Sequence, residues 1–254
     1  MRVEILGCSG SISGDLRTTC LRVDRDILID AGSGAGELSL QQSIAIDTLL
    51  LTHSHLDHCC MLPMLADAIG SFRDTPLNVR ALPETIAAIK RNILNGEIWP
   101  DYTSLPSSER PYIRFDPIMP GETVEMNNRK FTAMPTRHSV PCVGYQIDSG
   151  AASLVYSGDT TFCEDFWQAL NRILKLEYLL IETTFLNRNS AGAQRSGHMT
   201  ADLLARGLRQ LRRPVQLFIV HMEAGREDDT MREVLQAAGE FKPQMLRRGQ
   251  VFEF

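Results

Sequence analysis

The chain has 254 residues, 43% of them apolar and 22% charged, with a formal net charge of −5. That composition is ordinary for a globular protein with one sizeable core, and the acidic balance provides no global field that would draw in nucleic acid. No apolar run approaches membrane-spanning length. Six cysteines lie without C-x-x-C spacing, which suits free thiols in a reducing compartment better than a disulfide framework.

Val3 to Leu6 reads as a first strand and not as a signal peptide, so a cytoplasmic protein is expected. Thr19 to Val23 and Ile27 to Ile29 read as a hairpin around Asp24-Arg25-Asp26, and Asp30 breaks the second strand before a glycine turn. Thr48 to Leu51 is a short apolar strand. His53-Ser54-His55-Leu56-Asp57-His58 follows it, in the turn before a helix expected over Cys59 to Ile69. His53 and His55, two residues apart, place their imidazoles on one side of an extended segment. Asp57 and His58 aim at a second point nearby. Imidazole and carboxylate together suit zinc and its neighbours.

A strand is expected over Leu77 to Ala81 and a helix over Pro83 to Leu94, opened by its proline. Residues 95–111 read as a Gly/Pro/Ser-rich loop. Its Trp99 and Tyr102 either pack on the body, the favoured reading, or stack on a base. Short strands are expected over Ile113 to Phe115, Thr123 to Met126 and Phe131 to Met134. Then come Thr136-Arg137-His138-Ser139 and a buried strand, Leu154 to Tyr156, ending in Gly158-Asp159. Asp159 could simply cap the helix expected over Phe162 to Leu174. Tyr178 to Ile181 delivers Glu182-Thr183-Thr184-Phe185. A polar loop leads to Gly197-His198-Met199-Thr200, which opens a helix through Leu211. Val215 to Val220 is a strand ending in His221, Glu227 to Phe241 is a helix, and Gln250 to Phe254 is a closing strand.

The H-x-H-x-D-H stretch resembles the signature of the metallo-β-lactamase fold. Leu56 within it makes it similar to the class II cyclic-nucleotide phosphodiesterases, whereas the related tRNase Z endonucleases usually carry Gly there. The resemblance runs over most of the chain and takes in all six histidines. It implies a four-layer αβ/βα sandwich, one hydrolase domain over residues 1–254. It also implies two divalent metal ions, zinc in the first place, with manganese or iron acceptable to the same donors. By that resemblance His53, His55 and His138 hold one ion, Asp57, His58 and His221 the other, and Asp159 bridges. Asp30 would hydrogen-bond a ligand histidine from behind. His198 would be the general acid, with Glu182 holding its tautomer, and Asp57 would share in catalysis.

The expected activity is hydrolysis of cyclic AMP or cyclic GMP to the 5′-nucleotide, by a homodimer without a nucleic-acid or membrane partner. A tRNase Z-like endoribonuclease is the alternative. That family's tRNA-gripping arm usually lies between the motifs at His138 and Asp159, where this chain has room only for a hairpin. Another small phosphodiester hydrolase, or a non-catalytic binding module, would share the fold; the complete ligand set argues against the module. The arginines 206, 209, 212 and 213 could grip RNA, but a solvated helix face is the favoured reading.

Overall fold

The computed structural model describes residues 1–254 and divides into two compact units. The first comprises residues 1–7, 17–118 and 248–253; the second comprises residues 8–16, 119–247 and 254.

The first unit contains β1 (Arg2–Gly7), β2 (Cys20–Val23), β3 (Ile27–Ile29), α1 (Leu40–Ile44), β4 (Thr48–Leu50), α2 (Leu56–Cys59), α3 (Leu62–Gly70), β5 (Leu77–Ala81) and α4 (Pro83–Asn92). The little hairpin β6 (Pro106–Ser107) and β7 (Arg110–Pro111) follows, then β8 (Ile113–Pro117). The second unit contains β9 (Thr123–Met126), β10 (Arg129–Pro135), β11 (Val143–Asp148), β12 (Ser153–Tyr156), α5 (Glu164–Arg172), β13 (Leu176–Glu182), α6 (Ser190–Ser196), α7 (Ala201–Leu208), β14 (Gln216–Val220), α8 (Glu227–Ala238) and β15 (Gln244–Met245). The last strand, β16 (Val251–Glu253), belongs to the first unit.

Each unit is built on a seven-stranded mixed sheet, ordered β16-β1-β2-β3-β4-β5-β8 in the first and β15-β14-β13-β12-β11-β10-β9 in the second. In both, half the sheet is antiparallel and half parallel: β3, β4, β5 and β8 run parallel, as do β12, β13, β14 and β15. Parallel strands are covered on both faces and so read as unbroken apolar runs, which is why β4 is buried throughout and Leu179 to Glu182 of β13 are buried in succession. Helices complete each core. In the first unit Leu62 and Ile69 of α3 and Ile89 of α4 pack with Leu49 and Val79; in the second Phe166, Trp167, Leu204 and Val234 pack with Leu217.

The loop aromatics pack on the body, as favoured. Tyr102 is buried, its ring edge-on to Tyr112 at 5.1 Å and its hydroxyl on the Asp67 carboxylate, and Trp99 lies against the same core. Several elements depart from expectation, α1, β6, β7 and β15 among them, which fall where none is expected. The helix expected over Cys59 to Ile69 is two: α2, one turn long with His55 as its N-cap and carrying Asp57 and His58, and then α3. The polar loop before Gly197 contains α6, which closes on Gly197 in the left-handed conformation at φ +75°. β11 is not among the expected strands; it pairs along its whole length with β10 and forms a hairpin with β12. No helix is long and apolar enough to cross a membrane.

Candidate functional site

In open parallel sheets ligands gather beyond the carboxyl ends of the strands. Here Asp30 follows β3, His53 follows β4, Asp159 follows β12, Glu182 ends β13 and His221 follows β14. The structure brings Asp30, His53, His55, Asp57 and His58 together in the first unit, and His138, Asp159, Glu182, His198 and His221 together in the second.

In the first unit the donor atoms of His53 and His55 lie within 4.8 Å of each other, and so do those of Asp57 and His58. Asp30 is fully buried and held at φ +58°, a backbone conformation Asp tolerates better than most residues. Its carboxylate receives the Thr52 N–H at 2.8 Å and the Thr52 hydroxyl at 2.9 and 3.0 Å, and lies 2.7 Å from His58 Nδ1. A carboxylate only accepts, so His58 carries its proton on Nδ1 and turns Nε2 forward, 3.5 Å from Asp57 Oδ2.

In the second unit His138 Nδ1 lies 3.0 Å from the carbonyl of Gly197, which again can only accept. A Cβ on Gly197 would meet the His138 backbone at 2.8 Å, so this close approach demands glycine as much as the positive φ does. His138 Nε2 is then turned toward Asp159 Oδ2 at 3.7 Å, and His221 Nε2 lies 3.3 Å from Asp159 Oδ1. His221 sits at φ +58°, pinned by its N–H on the Cys8 carbonyl at 2.8 Å, and the Thr184 hydroxyl oxygen lies 2.9 Å from the His221 carbonyl. Asp159 does not cap α5, whose N-cap is Cys163 without a side-chain bond.

Glu182 is fully buried. It accepts from Thr160 N at 3.0 Å and His198 Nδ1 at 2.8 Å on one oxygen, and from Thr184 N, Thr184 Oγ1 and Met199 N at 3.1, 3.0 and 3.2 Å on the other. His198 stacks at 5.4 Å on His221 and meets Phe185 edge-on at 5.7 Å. Thr184 and Thr52 carry no functional expectation from the sequence; the available signal was a hydroxyl side chain beside a carboxylate or imidazole at a strand end.

These tautomers test the fit to a cation within each unit. With Nδ1 protonated, the Nε2 lone pairs of His58 and His138 each face a carboxylate oxygen, at 3.5 and 3.7 Å. Two acceptors at that distance repel unless positive charge lies between them. The donor set therefore fits divalent cations of the zinc type. The nearby thiols are less suited: burial, then the charge of Asp57, raises Cys60, and burial pushes Cys59 up to about 12.

A family model described as "Beta-lactamase superfamily domain" matches residues 25–222. The chain is 25% identical to a ribonuclease Z of Bradyrhizobium diazoefficiens over 95% of each chain. It is 26% identical to a probable 3′,5′-cyclic-nucleotide phosphodiesterase of Yersinia pestis over 82% of this chain and 71% of the relative. A 27% identical ribonuclease Z of Methanopyrus kandleri is matched over only 40% of its length, by 48% of this chain. Among solved structures, unliganded yeast PDE1 superposes with a TM-score of 0.81 at 17% identity, covering 98% of each chain. From the family match and from two mixed sheets flanked by helices, the chain belongs to the β-lactamase superfamily and has the metallo-β-lactamase fold.

Proposed function

We propose that the chain is a dinuclear metal-dependent phosphodiester hydrolase. His53, His55 and His138 would hold one ion, Asp57, His58 and His221 the other, with Asp159 shared. Zinc is the ion proposed. The observation that carries this reading is the pair of imidazole lone pairs, on His58 and His138, opposed to carboxylate oxygens. Its support for phosphodiesters is that relatives of both names, ribonuclease Z and cyclic-nucleotide phosphodiesterase, act on that bond.

When bound, the ions acidify water and offset the charge of the reacting phosphoryl group. The chain's own residues do the rest. His198, with Nδ1 engaged by Glu182, has Nε2 as the nitrogen that hands a proton to the departing alkoxide. Phe185 and His221 fix the plane of that ring. Asp57, whose side chain is 29% exposed, combines a ligand's place with access to incoming water.

A cyclic 3′,5′-nucleotide is the first substrate reading. It is favoured by Leu56 in the signature and by a single hairpin, β11–β12, between His138 and Asp159. Precursor tRNA is the second, favoured by the ribonuclease Z match over 95% of both chains; the relatives weigh equally for each. Product analysis with cyclic AMP, cyclic GMP and a precursor tRNA decides between them. The 5′-monophosphate is expected from a cyclic nucleotide, and the 3′-monophosphate would contradict the orientation assumed. Trimmed tRNA without cyclic-nucleotide turnover selects the second substrate, and no cleavage of any of them overturns the proposal.

A further inference from the structure

We propose that Thr52 and Thr184 are positioning residues that fix the tautomers of His53 and His221 by relaying each imidazole Nδ1–H, through a threonine hydroxyl, to a buried carboxylate. The proposal rests on the metal-centre reading above.

The device is built twice, once in each unit. Thr52 stands two residues beyond β4, fully buried; its Oγ1 lies 3.0 Å from His53 Nδ1 and 2.9 and 3.0 Å from the two oxygens of Asp30. Thr184 stands two residues beyond β13, 8% exposed; its Oγ1 lies 3.0 Å from His221 Nδ1, 3.0 Å from Glu182 Oε2 and 2.9 Å from the His221 carbonyl. A hydroxyl has one proton to give. It gives that proton to the carboxylate, Asp30 for Thr52 and, as the charged and stronger acceptor beside the His221 carbonyl, Glu182 for Thr184, and takes the imidazole N–H in return. His53 and His221 are thereby left with Nε2 as the ligating nitrogen. The other nearby imidazoles have shorter partners. His58 Nδ1 is 3.4 Å from Thr52 but 2.7 Å from Asp30, and His198 Nδ1 is 3.3 Å from Thr184 but 2.8 Å from Glu182.

Each carboxylate thus serves two histidines, one directly and one through a hydroxyl. Asp30 serves His58 and His53; Glu182 serves His198 and His221. The arrangement makes Glu182 common to the proposed proton donor and to a proposed metal ligand in the same unit.

The test uses the full chain with Thr52→Val and Thr184→Val, which keep the branched shape and remove the hydroxyl, and with the Thr→Ser variants, which keep the hydroxyl. Two quantities are read: zinc affinity by chelator competition, and histidine tautomers by long-range ¹H–¹⁵N NMR of the metal-free protein. The Val variants should lose affinity roughly 10–100-fold. Thr52→Val should disturb the Nδ1–H tautomer of His53 alone, and Thr184→Val that of His221 alone. Ser should restore both quantities. If a Val variant fails to fold, the Ala variant is read in its place. Unchanged tautomers in the Val variants, or Ser variants as impaired as Val, would overturn the relay. Tautomers that respond in a protein with no measurable zinc affinity would uphold the relay and overturn the metal centre.

Discussion

Glu182 receives five hydrogen-bond donors in a fully buried position, from Thr160, Thr184, His198 and Met199. Glu182→Gln exchanges one accepting oxygen for an NH₂ group, and both oxygens are in use, so either amide orientation sets donor against donor. Thermal unfolding should show a loss of roughly 1–3 kcal/mol, the cost of a buried polar group left unsatisfied. His198→Ala is a different case, because that ring is assigned no ion. Its metal content should match the wild type. Cyclic-nucleotide hydrolysis, whose ribose oxygen leaves poorly without a proton, should slow roughly 10²–10⁴-fold. A nitrophenyl phosphodiester, which releases a stabilised phenolate, should lose much less. Equal losses on both substrates would make His198 a charge-stabilising group, and a lost ion would make it a ligand. At this scale the sequence was most legible: ligand candidates cluster by residue type and spacing, and the structure gathers them by unit. The hydroxyls of Thr52 and Thr184 were not legible, since a threonine in sequence does not reveal which of its many possible partners it meets.

Among the elements, helix contacts explain residues that composition leaves ambiguous. The arginines after α7 lie exposed, as a solvated face would: Arg209 reaches the Ala237 carbonyl near the end of α8, and Arg213 the Ile173 carbonyl at the end of α5. Both cap carbonyls at helix C-termini, where a cation is favoured by the helix dipole. Arg206 instead lies 4.0 Å over the Phe162 ring. Gly207 shows why α7 can pack on α5, since a Cβ there would fall 2.1 Å from the indole of the fully buried Trp167. Gly207→Ala should therefore cost roughly 1–3 kcal/mol in denaturant unfolding through overpacking. A methyl group on Gly192 in α6 would instead meet nothing within 4 Å, so Gly192→Ala should be neutral or stabilise by up to about 1 kcal/mol. Equal effects at the two positions would refute the packing account. Strands with unbroken apolar runs, such as β4 and β14, were legible because burial on both faces writes itself into composition. β11 was not, because Val143-Gly144-Tyr145-Gln146 has no clean alternation and takes its pairing from β10. Short α6 was hidden by its polar surface, with Ala193 alone among its residues buried.

Over the whole molecule, the two units repeat one plan: an antiparallel half-sheet for stability, and a parallel half-sheet whose strand ends carry the polar groups. That plan puts Asp30 and Glu182, both fully buried, behind imidazoles that turn their other nitrogen outward. All six cysteines are free thiols, so no covalent link shares in the scaffold. On the function proposed above, His53, His55, Asp57, His58, His138, Asp159 and His221 hold two ions that phosphodiester cleavage requires. The most direct measurement is the metal content of purified protein, taken with its hydrolysis of bis(p-nitrophenyl) phosphate before chelation, after chelation and after zinc is returned. About two ions per chain are expected, with activity lost on their removal, restored on their return, and at least one ion missing from Asp159→Ala. Full activity in metal-free protein, or an unchanged ion count in Asp159→Ala, would contradict it.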